Sequence, residues 1–170
     1  MAAQWRSVAA ALAFICLAGC SVFEAKKPGP PCPRASLVDG ANRVQRFAGQ
    51  GRTIKDVAFE ARILDVTGQC EVTDNKVKID MKLRIEGAKG PALVGDSAPL
   101  SYFVAIVSPD GRVLTRDEFA TEIPFKADRA TIEEELEPVI PLAEGRRPAA
   151  YTVFIGLVVT KEELDANRRH

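Results

Sequence analysis

The sequence predicts an all-β domain, two sheets packed as a sandwich, that ends in one short helix. Three observations lead there. Lys76–Glu86 alternates without a break, with Val77, Ile79, Met81, Leu83 and Ile85 on one side and Lys78, Asp80, Lys82, Arg84 and Glu86 on the other. A strand has a side-chain period of two, so this segment carries one apolar and one charged face, whereas on a helix the same residues would spread around the axis. Six or seven short segments of strand character follow one another with turn chemistry between them, the pattern of a sandwich or barrel. At the end the pattern changes, and Thr160-Lys161-Glu162-Glu163 has the form of a capping box. An immunoglobulin-like β-sandwich fits best, without the Cys…Trp…Cys spacing of antibody domains; a small β-barrel is the alternative.

Taken in order, Ser21–Pro33 reads SVFEAKKPGPPCP, whose prolines fix φ and favour extended neighbours. It reads as a tether ahead of the domain. Ala35–Val38 reads as a short first strand, followed by irregular structure to Gly51. Gly49-Gln50-Gly51-Arg52 lacks the Lys-Ser/Thr of a phosphate-binding loop and reads as a glycine turn. Asp56–Val66 alternates at its centre and makes a strand, which Thr67-Gly68-Gln69 is expected to turn. Asp74-Asn75 makes the tight connection into the Lys76 strand.

Gly87–Pro99, broken by three glycines and two prolines, reads as a loop in which Lys89 and Asp96 are isolated, solvated charges. Tyr102–Val107 and Arg112–Phe119 form a hairpin about Ser108-Pro109-Asp110-Gly111, and a further short strand or bend runs to Pro124. The first of these strands is apolar on both faces, so it belongs in the centre of a sheet or under a cover. Thr131–Ile140 presents Glu133, Glu135 and Glu137 on one face and Ile132, Glu134 and Leu136 on the other. Side chains about 6.7 Å apart along a strand are too far apart to hold one small cation unaided, so the acidic row reads as a solvated face. Pro138 and Pro141 mark an edge or a strand end. Tyr151–Thr160 is the last strand, and Lys161 to about Arg168 is the helix, expected to dock on the outer face of one of the two doubly apolar strands.

The charge is balanced, with 23 basic and 23 acidic side chains, which gives no electrostatic case for nucleic acid. The sole histidine is His170, which disfavours Ser-His-Asp, Cys-His and zinc chemistry. No metal site or cofactor is expected, and the chain does not read as an enzyme. Carboxylates are plentiful, so a carboxylate-dependent hydrolase is the enzymatic alternative; it requires two acids facing each other across a cleft.

The chain begins with Arg6 and no acid, then an apolar run from Val8 to Leu17, a length that fits a secretory signal and not a membrane span. That run closes on Leu17-Ala18-Gly19-Cys20, which resembles the lipobox of bacterial lipoproteins. The resemblance implies cleavage between Gly19 and Cys20, a lipid on the Cys20 sulfur, and an N-terminus acylated with a fatty acid of the palmitate class. Several acyl chains on one residue hold a protein firmly to a bilayer. It divides the chain into a signal peptide at 1–19, a lipidated N-terminus and tether at 20–33, and a β-sandwich domain at 34–170. The mature balance is then 22 − 23 = −1. By the same family's sorting habit, Ser21 after the anchor favours the outer membrane, facing the periplasm. Cys16 leaves with the signal and Cys20 takes the lipid. Cys32 and Cys70 remain, and in an oxidising compartment they are expected to form a disulfide.

Tyr151–Gly156, Glu163–Arg168, Gly90-Pro91-Ala92 and Tyr102–Ala105 together are similar to small envelope lipoproteins of alphaproteobacteria, a group that implies no activity. The expected role is a non-catalytic interaction or structural module of the cell envelope, with the bilayer and an envelope protein as partners. Its interface would be an uncovered apolar sheet face or an open strand edge. The alternative is a small-molecule or lipid-binding β-domain, which needs a deep apolar pocket.

Overall fold

The computed structural model describes residues 31–169. Nine strands and one α-helix are present among them, with two single-turn 3-10 helices: β1 (Arg34–Leu37), β2 (Arg43–Phe47), β3 (Val57–Val72), β4 (Lys76–Lys89), β5 (Ser97–Val107), β6 (Val113–Pro124), β7 (Arg129–Leu136), β8 (Val139–Pro141), β9 (Thr152–Leu157) and α1 (Lys161–Asn167). They form two sheets. The first runs β1-β9-β5-β6; the second runs β2-β3-β4-β7, with β8 paired to the far end of β4. All pairs are antiparallel except β1 with β9, which is parallel. The all-β sandwich with a short terminal helix is therefore the observed fold class.

β4 carries the alternation that predicts it. Val77, Leu83 and Ile85 have no solvent exposure, and Ile79 and Met81 are buried with them. They meet Leu100, Tyr102, Val104 and Ile106 of β5 and Val153, Ile155 and Leu157 of β9 in one continuous core. β5, apolar on both faces, lies between β9 and β6 as expected of a central strand.

Four local expectations are corrected. Residues after Leu37 are not all irregular: Arg43–Phe47 is an edge strand on β3, masked in the sequence because only Val44 of its five residues is fully buried. Thr67-Gly68-Gln69 is not a turn. β3 runs on to Val72, and the reversal comes at 73–75, where the Thr73 N–H donates to the Lys76 carbonyl at 2.9 Å. Gly68 is needed for close approach, since a Cβ there would sit 2.6 Å from the Asp80 carbonyl oxygen. The alternation fails near Asp65 because a bulge shifts the register between Ile63 and Asp65, so that Ile63 opposes Ile85 and Asp65 opposes Arg84.

Gly87–Pro99 is a loop only at its centre. Gly87–Lys89 complete β4, and Ser97–Pro99 open β5. Gly87 leaves room for Ile123 and Phe125, which a Cβ would meet at 2.9 and 3.0 Å. Pro99 lies beyond the end of the β5–β9 ladder, where its missing N–H leaves no partner unmatched. Finally, α1 does not lie on β5 or β9. It packs beside β2 and the 39–43 connection, where Asn167 Nδ2 donates to the carbonyls of Gly40 (2.7 Å) and Arg43 (2.8 Å). Its capping box is formed as expected, with the Glu163 N–H donating to Thr160 Oγ1 at 3.2 Å and the Thr160 N–H to Glu163 Oε2 at 2.7 Å.

Candidate functional site

The chain enters the sandwich at a covalent bridge. Cys32, two residues ahead of β1, is bonded to Cys70 in β3, with S–S 2.01 Å and Cα–Cα 5.8 Å. Because β1 and β3 belong to different sheets, this bond joins the two layers. The register places it at one pole. Cys70 opposes Ile79 near the 73–75 turn, and Arg34 opposes Thr152, which also opposes Val107 beside the 108–111 turn. α1 lies at the other pole, beside the connection that follows β1. The lipobox residues Leu17, Ala18, Gly19 and Cys20 lie outside the described residues.

The outer face of the second sheet is charged and internally paired. Lys82 Nζ lies 2.7 Å from Glu133 and 3.1 Å from Glu135, and Lys78 Nζ lies 3.1 Å from Glu137 and 3.4 Å from Asp80. Arg84 reaches Asp65 at 2.5 Å, and Glu86 sits between Arg62 (3.0 Å) and Arg129 (2.9 Å). The glutamate row is thus met by lysines one strand away. The hydrogen bond to Glu133, then that to Glu135, raises the Lys82 pKa; the hydrogen bond to Glu137, then the charge of Asp80, raises that of Lys78. These exposed pairs are screened and contribute little stability, but they make this face a solvated one. Lys89 and Asp96, read as isolated, are 3.3 Å apart.

The outer face of the first sheet differs. Phe103 of β5 and Phe154 of β9 lie there, half-buried, with Val107 and the buried Ala105. Gly156 opposes Phe103, and a Cβ on it would fall 2.8 Å from the Phe103 ring, so the end of the ring uses the space above Gly156. The Arg116 guanidinium is 4.4 Å from the Phe103 centroid, a cation–π arrangement. Since α1 packs elsewhere, no described helix covers these aromatics.

Between the sheets one carboxylate turns inward. Glu134 of β7 shares the inner face with Ile132 and Leu136 and accepts hydrogen bonds from Tyr102 Oη of β5 (3.2 Å) and Thr121 Oγ1 of β6 (2.6 Å). Burial, reinforced by the Glu134 charge, pushes the Tyr102 phenol well above its usual range. Tyr102 also stacks on Phe119, with centroids 5.2 Å apart. The sequence carries the signal for this cluster, a single acid in the apolar phase of a strand, but gives no partner for it.

The grooves of the surface are open clefts. One, about 560 Å³, lies over the outer face of the second sheet between Arg43, Arg62 and Arg129. Another, about 340 Å³, runs between β6 and the β7–β8 corner, floored by Val104, Ile106 and Leu136. No protein-family model matches the chain, and no curated protein matches it.

Proposed function

We propose that the protein is a lipid-anchored component of the bacterial cell envelope, held by Cys20 and presenting a β-sandwich to the periplasm from the outer membrane, where it acts as a non-catalytic interaction module. The lipobox-like Leu17-Ala18-Gly19-Cys20 supports the anchor. Eleven residues lie between Cys20 and Cys32, a tether of at most about 40 Å. The Cys32–Cys70 disulfide supports an oxidising compartment.

The observation that carries the interaction role is the Phe103–Phe154 face. A sheet that buries one side in a core ordinarily exposes polar residues on the other, as the second sheet does. The first sheet instead offers aromatic rings flanked by Arg116, the residue types enriched at binding hot spots.

Two measurements test this. Mass spectrometry of the mature N-terminus is expected to find a diacylglyceryl-modified, acylated Cys20; an unmodified Cys20 overturns the anchor. A photo-crosslinking side chain at Phe154 is expected to capture a discrete envelope protein in intact cells, while the same group at Lys82 captures none. Equal labelling from both faces overturns the assignment of the interface.

A further inference from the structure

The first sheet ends in an open edge. β6 is hydrogen-bonded to β5 on one side only, and it is twelve residues long. Exposed edges of that length are templates for another strand, and proteins usually shorten, cover or bulge them. This one is left unpaired along its centre, and it carries an aromatic ring, Phe119, that is 37% exposed.

The pairing pattern shows which groups are free. The Val158 N–H donates to the Ser101 carbonyl, so the odd-numbered residues of β5 bond to the β9 side and the even-numbered ones to β6. Tyr102 opposes Phe119 and Val104 opposes Asp117, so the odd residues of β6 are the bonded ones. Arg116, Glu118, Ala120 and Glu122 therefore turn their N–H and C=O groups outward. Pro124 has the same parity, and its missing N–H faces the open side, where an edge strand tolerates proline.

We propose that this edge pairs with the same edge of a second copy, antiparallel, about a two-fold axis at Phe119. In that register Arg116 stands opposite Glu122 of the other copy, twice by symmetry. Glu118 stands opposite Ala120, Asp117 opposite Thr121, and the two Phe119 rings meet at the axis. Cross-strand opposite charges and aromatic pairs each favour an antiparallel ladder, and like charges directly opposite disfavour it. The neighbouring registers are disfavoured in that way. Centring on Asp117 or Glu118 sets that residue against itself, and centring on Ala120 sets Glu118 against Glu122. Of these registers only the one centred on Phe119 sets opposite charges face to face with no like charges opposed. It joins two four-stranded sheets into one of eight strands whose two Phe103–Phe154 faces point the same way. The pairing does not depend on the lipid, so it goes beyond the proposed function.

The register makes the test sharp. The position on the axis is a pair whose backbone groups bond inward, with Cα atoms about 4.5 Å apart, close enough for a disulfide. In the full mature chain, Phe119→Cys is expected to form a covalent dimer under mild oxidation, above any background from the unsubstituted chain. Asp117→Cys and Thr121→Cys are each expected to form no covalent dimer alone and to crosslink when mixed. Because these changes disturb the packing of Tyr102 and Glu134, a second set acts on solvent-facing charges. Arg116→Glu or Glu122→Arg alone is expected to weaken self-association about tenfold by sedimentation, and the two together to restore it. A chain that sediments as a monomer up to millimolar concentration overturns the proposal. So does crosslinking that is equal at 117, 119 and 121, or a charge exchange that fails to rescue.

Discussion

Tyr102 donates its hydroxyl to Glu134 across the gap between the two sheets, 3.2 Å from β5 to β7, and both ends of that bond are set by strand parity. Tyr102 is 2% exposed. Tyr102→Phe is expected to cost about 1.5–3 kcal/mol at neutral pH, the contribution of a hydrogen bond to a charged acceptor. The alkaline limb gives a second readout. The folded-state phenol is raised above its ordinary 10.0 by burial and then by the Glu134 charge. The unfolded chain therefore loses this proton first, and stability present below pH 10 declines as pH rises toward the folded value, by up to about 1.4 kcal/mol per pH unit. Urea unfolding at pH 8, 10 and 11 is expected to show the wild-type midpoint falling faster than that of the Phe variant. Parallel slopes would remove Tyr102 as the cause.

The Cys32–Cys70 bond closes a loop of sequence separation 38. In the chain-entropy description, that restriction of the unfolded state corresponds to about 4 kcal/mol. The double variant Cys32→Ala/Cys70→Ala is expected to melt roughly 10 °C lower, and the wild type under reductant to match it. A reduced wild type that keeps its melting temperature would show that β1 is held by its hydrogen bonds alone.

Gly90 follows β4 where two backbones meet. A Cβ there would lie 2.2 Å from the Val57 carbonyl oxygen, the same oxygen that accepts from the Ala92 N–H at 2.9 Å. A backbone oxygen cannot swing aside as a side chain does. Gly90→Ala is expected to destabilise by about 1–3 kcal/mol. Ala92→Gly, which introduces no clash, is the comparison, and thermal melts distinguish them.

Thr160→Ala removes the hydroxyl that accepts the Glu163 N–H. The expected cost is about 1 kcal/mol, typical of a lost N-cap. Glu163 also pairs with Arg46 of β2, so fraying of α1 is expected to loosen that edge. Hydrogen exchange of the amides in 43–47 should quicken in the variant and stay unchanged in 77–85.

Much of this architecture can be read from the sequence because it depends on period-two alternation, and β4 and the inner face of β5 follow that rule almost residue by residue. The disulfide is legible too, through the count of cysteines that remain once the lipobox resemblance assigns two of the four. Edge and bulge are harder. β2 is one-sided and short, so its lone buried Val44 leaves no pattern, and the bulge at Ile63–Asp65 converts a sixteen-residue strand into what looks like a shorter strand and a turn. Gly68 and Gly87 read as breakers, yet they serve close packing inside strands. The position of α1 was not legible, because its contacts to Gly40 and Arg43 use backbone carbonyls that any sequence supplies. The candidate face on the first sheet is legible as doubly apolar strands, but only the packing of α1 beside β2 shows that the helix does not cover it.

The disulfide also sets the path that tension takes. A pull on the chain ahead of Cys32 does not first load the four-residue β1–β9 pair. It passes through the sulfurs into β3 at Cys70, a strand laddered to β4 from Phe59 to Val72. That ladder holds many more paired residues than the four of β1 with β9. Reduction of one bond would therefore move the load from the long ladder to the short one, with β1 the first element to leave the sheet.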